Sequence, residues 1–116
     1  MLTGAHIMLY SKDADADRAF FRDVLEFRSV DAGGGWLIFQ LPATEAAFHP
    51  SERNDVHELY FTCDDLEQTM ALLRKKEVRF SPVKKEQWGD LTQLTLPGGG
   101  TIGLYQPKHP TAAGRS

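Results

Sequence analysis

The sequence predicts an α+β fold: two βαβββ modules whose strands curl into one mixed sheet, a cup, with the helices on its outer face. Three observations predict it. At 56–66, VHELYFTCDDL, a strand of alternating character runs straight into a helix start, and a similar unit opens the chain. Each half then has a glycine-rich hairpin signal, at 33–35 and 98–100, and ends in a proline-terminated strand. The order recurs at an offset of roughly fifty residues, as a repeat of pattern with slight identity. One helix cannot cover both faces of a four-stranded sheet. Pairing two such units around a shared concave space resolves this.

The first strand spans about 5–10, with Ile7 and Leu9 alternating with His6, Met8 and Tyr10. Asp13 or Asp15 precedes the helix that follows, and the acidic entry over 13–17 suits the positive end of the helix dipole. Ala16, Phe20, Val24 and Phe27 recur at helical spacing, widened by Phe21 and Leu25, so one face is buried; the helix ends near Glu26. Strands at about 28–32 and 36–41 flank the glycines, Pro42 stops the second, and 45–49 is a short fourth strand closed by Pro50. Residues 51–55 are polar and read as a linker, which gives modules at 4–50 and 56–107 within a single domain.

In the second module Leu59, Phe61 and Cys63 share one face of the strand, and Glu58, Tyr60 and Thr62 the other. Asp64 or Asp65 caps a helix over 66–76, with Glu67 three residues after Asp64 and Leu66, Met70 and Leu73 as the buried stripe. A strand near 78–80, an irregular piece through Trp88 and Gly89, and strands at 91–96 and 101–106 complete the module. The tail, 108–116, is polar and loose.

At 116 residues the chain is long enough to bury a sizeable core, and 41% hydrophobic with 25% charged residues is ordinary for a soluble domain. The formal charge of −3 and the lack of a basic stripe argue against nucleic acid as a partner. No apolar run is long enough for a membrane span, and the start lacks the marks of a signal peptide. Cys63 is the single cysteine, which fits a reducing cytoplasm; its phase assigns it to the core rather than to nucleophilic chemistry. The glycine runs lie in hairpins, so they form no phosphate loop, and no serine has a positioned His–Asp pair.

The order βαβββ–βαβββ, with His6 on the first strand, AFFRDVLEF after it, HELYFTCDDLE in the middle and LPGGGTIGLYQP at the end, resembles the vicinal oxygen chelate superfamily. That group includes glyoxalase I, extradiol dioxygenases and the fosfomycin- and bleomycin-resistance proteins. The likeness spans nearly all of 4–110 and is specific for a fold rather than a reaction. It implies metal ligands on the first and last strand of each half, all facing the cup. His6 matches the first-strand histidine. Glu58 matches the second-half position, with His57 one residue out of phase. The last-strand glutamate falls at Gly103, and its first-half counterpart at Ala46. Two donors fall short of the three protein ligands of a catalytic site, so no metal cofactor is expected. The family often places glycine at the two helix ends where this chain has Glu26 and Glu77; glutamate there implies a different exit or some strain.

His6 reads either as a binding or proton-transfer group or as a hydrogen-bonded histidine of the cup floor. Glu58, in a cup lined by Met8, Phe48, Tyr60 and Tyr105, is expected to have a raised pKa; it forms an acid–base pair with His6 or merely an ion pair. Trp36 or Trp88 adds a further aromatic wall, and His49, His57 and His109 read as surface residues. The resemblance thus implies a homodimer that binds a small organic molecule without metal through these six residues (His6, Met8, Phe48, Glu58, Tyr60 and Tyr105). The alternative is a lyase or dioxygenase using a divalent ion held by His6, Glu58 and a third group. A third reading is a structural or regulatory module whose cup is filled by its own side chains.

Overall fold

The computed structural model describes residues 1, 4–110 and 112. The elements run α1 (Ala14–Asp23), β1 (Ser29–Asp31), β2 (Leu37–Phe39), β3 (Tyr60–Thr62), α2 (Leu66–Arg74), β4 (Lys84–Glu86), β5 (Gly89–Thr95) and β6 (Thr101–Pro107). The class is α+β, with two βαβββ-like modules and a mixed sheet. Strand β3 runs parallel to β6, and every other pair is antiparallel.

The cup does not form. The strands make a four-stranded sheet in the order β3–β6–β5–β4 and a separate two-stranded hairpin, β1–β2, and neither sheet is curled or closed. Segments 5–10 and 45–49, expected as the outer strands of the first module, join no ladder. The reason lies in where α1 packs. Its Phe20 and Phe21 are buried with Val78, Leu94, Leu96 and Ile102, so α1 covers the second module's sheet, and of its own module it meets the β1–β2 hairpin, where Phe21 packs edge-on against Phe39. Ile7 and Leu9 are left without a layer to pack under and remain exposed. Glu45, Ala46 and Ala47 have weak strand preference and little apolar surface to hold a ladder together. The strand expected near 78–80 shrinks to a bridge between Phe80 and Leu94, and the piece read as irregular contains β4.

Helix caps start both helices, and at α2 the choice between Asp64 and Asp65 falls to Asp65. Asp13 accepts from the Ala16 amide at 3.1 Å, and Asp65 from the Gln68 amide at 3.0 Å. Gln106 on β6 adds a second acceptor at the start of α2, taking the Leu66 amide at 2.9 Å. At the far ends Glu26 (φ 60°) and Glu77 (φ 65°) both hold the left-handed conformation. Around Glu77 the Glu77 amide donates to Arg74 O and the Val78 amide to Leu73 O, a Schellman closure built without glycine. Lys76 Nζ then reaches across to Val24 O (3.2 Å) and Glu26 Oε2 (2.9 Å), tying the two helix ends together.

A second tie links Asp17 of α1 to the β5–β6 turn, where the Gly98 amide donates to Asp17 Oδ1 at 2.8 Å. A second apolar cluster, Leu66, Met70 and Leu104 with Phe61, seats α2 on the other half of the same sheet face. Both helices therefore lie on one face of the four-stranded sheet, and the opposite face is open. Among the described residues no helix is long and apolar enough to cross a membrane.

Candidate functional site

The parallel register of β3 and β6 sets Tyr60 beside Gly103 and Thr62 beside Tyr105. Side chains alternate across a sheet, so these four share the open face, while Phe61 and Leu104 point to the helices. Antiparallel pairing extends the open face onto β5, where Gln93 lies opposite Gly103 and Leu91 opposite Tyr105. The sequence reading of this alternation holds: Leu59, Phe61 and Cys63 are all partly buried on the helix side.

Gly103 is what allows the rings to gather. A Cβ placed there would lie 2.7 Å from Tyr60 Cγ and closer still to the ring edge, so the Tyr60 side chain occupies the space a larger residue would need. The Tyr60 ring meets Tyr105 edge-on, with centroids 5.8 Å apart at 87°. Trp88 meets Tyr105 in the same manner, at 5.7 Å and 76°. Burial pushes the Tyr60 phenol above its ordinary pKa, and the Glu58 carboxylate pushes it further. Burial does the same to Tyr105, with Glu45 and Tyr60 adding to it. Both hydroxyls therefore stay protonated and able to donate at neutral pH.

Beside these rings lies a cavity of about 250 Å³ lined by Glu58, Tyr60, Gln93 and Gly103, with Leu9 and His57. Of the six residues expected to line a cup, Glu58 and Tyr60 border this cavity and Tyr105 stacks next to it. His6 is exposed and, among the described residues, forms no hydrogen bond or ion pair, with Glu58 or any other group. Met8 is half exposed and Phe48 fully exposed, and neither lines the cavity. The Glu58 carboxylate is itself exposed, so the enclosing wall expected to desolvate it is missing.

Of the two tryptophans, Trp88 joins the aromatic group, whereas Trp36 lies under the Arg18 guanidinium, 4.8 Å from it. His57, Leu9 and Gln93 were not legible as site residues. His57 precedes the three-residue ladder of β3, so strand phase does not govern its direction. Cys63 packs in the α2 cluster with its thiol pushed up by burial, which suits a core role. Among the described residues no three His, Cys, Asp or Glu side chains gather where they could hold a metal ion.

The chain matches no protein-family model and no curated protein. Solved structures do match it. An antibiotic-binding protein from a Streptomyces species superposes with a TM-score of 0.63 at 21% identity, over 93% of this chain and 100% of its own. A glyoxylase/bleomycin resistance protein/dioxygenase domain from a Frankia species gives 0.63 at 15%, with the same coverage of 93% and 100%. A lactoylglutathione lyase from Agrobacterium tumefaciens gives 0.61 at 20%, over 89% of this chain and 94% of its own. The fold is that of the vicinal oxygen chelate superfamily.

Identities this low speak for the fold alone. In this fold the Tyr60 ring fills the space beside Gly103 that any larger side chain there would need.

Proposed function

We propose that this protein binds a small organic molecule on the open aromatic face of its four-stranded sheet, without the divalent metal common in its fold family. The Tyr60 ring lying over Gly103 carries this reading. It turns a ligand position into part of an aromatic surface continuous with Tyr105 and Trp88. Aromatic walls with a few convergent polar groups suit planar or apolar molecules. Glu58 and Gln93 supply acceptors and a donor, and the two tyrosines supply hydroxyl donors.

The working unit is a cytoplasmic homodimer. Ile7, Met8, Leu9, Tyr10 and Phe48 are all exposed on segments that join no sheet, and exposed apolar side chains of this kind suit a contact with a second chain. A partner would cover it and bring Met8 and Phe48 out of solvent. Sedimentation at micromolar concentration should show a dimer that Phe48→Glu and Met8→Glu weaken.

The function is tested by thermal-shift screening of planar organic compounds against wild type and Tyr105→Ala, with elemental analysis of protein purified without chelators. Hits that shift the wild type and not the variant, on protein free of stoichiometric metal, are expected. Close to one ion per chain, lost in both His6→Ala and Glu58→Ala, would instead favour a metal-dependent lyase or dioxygenase.

A further inference from the structure

The open face changes character along β6. Thr101, Gly103 and Tyr105 follow one another on it, over about 13 Å at roughly 3.3 Å per residue. Tyr60 leans over Gly103, and Tyr105 leans over Gly89, where a Cβ would lie 3.1 Å from Tyr105 Cδ2. With Trp88 edge-on to Tyr105 and the His109 ring 6.1 Å from it, that end of the face is aromatic.

The Thr101 end is polar. Glu58, His57, Gln93 and Thr101 all border the cavity there, and the Tyr60 ring forms its wall toward Tyr105. Among the described residues, the side chains of Glu58, Gln93 and Thr101 form no hydrogen bond or ion pair with the protein, and no lysine or arginine lines the cavity. Lys84 reaches this face only from the far edge strand, beside Glu86. Burial comes first in raising both phenols, and the charges that add to it are negative, Glu58 at Tyr60 and Glu45 at Tyr105.

We propose that this cavity takes the protonated nitrogen of a planar organic cation, an amine or amidinium, whose rings lie on Tyr105 and Trp88. The inference rests on the binding reading given above and adds a charge to it. A carboxylate that only accepts, beside an amide and a hydroxyl that can accept, matches a group that carries donors alone. The Tyr60 ring adds to this, because its face attracts a cation lying against it. An anion would meet Glu58 with no lysine or arginine in the lining to offset the repulsion.

The test is a fluorescence titration with three flat tricyclic probes that differ in charge: proflavine as cation, acridone as neutral ring system and anthracenecarboxylate as anion. Wild type, Glu58→Gln and Tyr105→Ala are compared. Proflavine should bind wild type most tightly and lose affinity at high salt. Glu58→Gln should weaken it about two- to fivefold, the range of an exposed ion pair, and leave acridone unchanged. Glu58 is exposed, so the glutamine variant should keep the wild-type melting temperature. Tyr105→Ala should weaken every probe that binds. Proflavine affinity equal in wild type and Glu58→Gln, or matched by the anion, with binding still lost in Tyr105→Ala, leaves the site standing and overturns its preference for cations. Binding that Tyr105→Ala leaves unchanged, or no binding of any probe, overturns the site and this inference with it.

Discussion

The Tyr60 side chain rests against the α-carbon of Gly103, with a Cβ at residue 103 falling 2.7 Å from Tyr60 Cγ. Because Cγ lies at the root of the ring, a small swing cannot relieve the clash, and Tyr60 would have to leave its rotamer. Gly103→Ala should therefore cost about 1–3 kcal/mol in urea unfolding, the usual range for overpacking, and weaken any ligand that binds against Tyr60. Gly103→Glu should lose at least as much stability and gain no metal. A Gly103→Ala protein as stable as wild type, with ligand binding intact, would show that the contact is incidental.

Tyr60 and Tyr105 should ionise above the usual tyrosine range, because burial disfavours the phenolate and nearby carboxylates add to it. A folded-state pKa above the unfolded value means stability that is complete below the unfolded pKa and lost as pH rises through the folded one. Alkaline pH should thus destabilise the protein in that window. Spectrophotometric titration of Glu58→Gln should move the Tyr60 midpoint down, since one negative charge is gone, and leave that of Tyr105 in place.

Asp90 has the opposite sign. The Lys108 ammonium at 3.0 Å, helped by Lys85 at 3.7 Å, holds its carboxyl below the ordinary value. The resulting stability is present above the unfolded carboxylate pKa and lost as pH falls through the folded one. Unfolding curves compared across that acid range should show a shallower pH dependence for Asp90→Asn than for wild type.

At the end of α2, Glu77 holds a left-handed φ that glycine adopts without cost. Glu77→Gly should raise stability by about 1 kcal/mol, read as a higher melting temperature. Glu26→Gly should gain less, because it also removes the carboxylate that Lys76 holds at 2.9 Å. Equal gains at both sites would mean that this ion pair contributes nothing.

Much of the second module was legible. The alternation of Glu58 and Tyr60 with Leu59 and Phe61 gave the correct faces, since a paired strand has a side-chain period of two. The choice between Asp64 and Asp65 as cap was not legible, as both precede Leu66 and can accept an amide. In the first module the same alternation at Ile7 and Leu9 suggested a strand that does not pair. Alternation describes a segment's faces; it does not supply the neighbour that would make it a strand. The site divided in the same way. Tyr60 and Tyr105 were found by phase, whereas His57 reaches the cavity from the unpaired segment before β3 and Gln93 through its strand partner, which no local pattern specifies.

By itself the sequence determined the helices, their acidic entries, the glycine hairpin and turn, and the inward face of β3, because each of these depends on residues within a few positions of one another. Tertiary structure alone decided that α1 would cover the second module's sheet, that the strands would stay open instead of curling, and that His109 would lie against Tyr105. Those outcomes depend on competition between distant surfaces for the same apolar partners, and such a contest is decided only when the whole chain is packed.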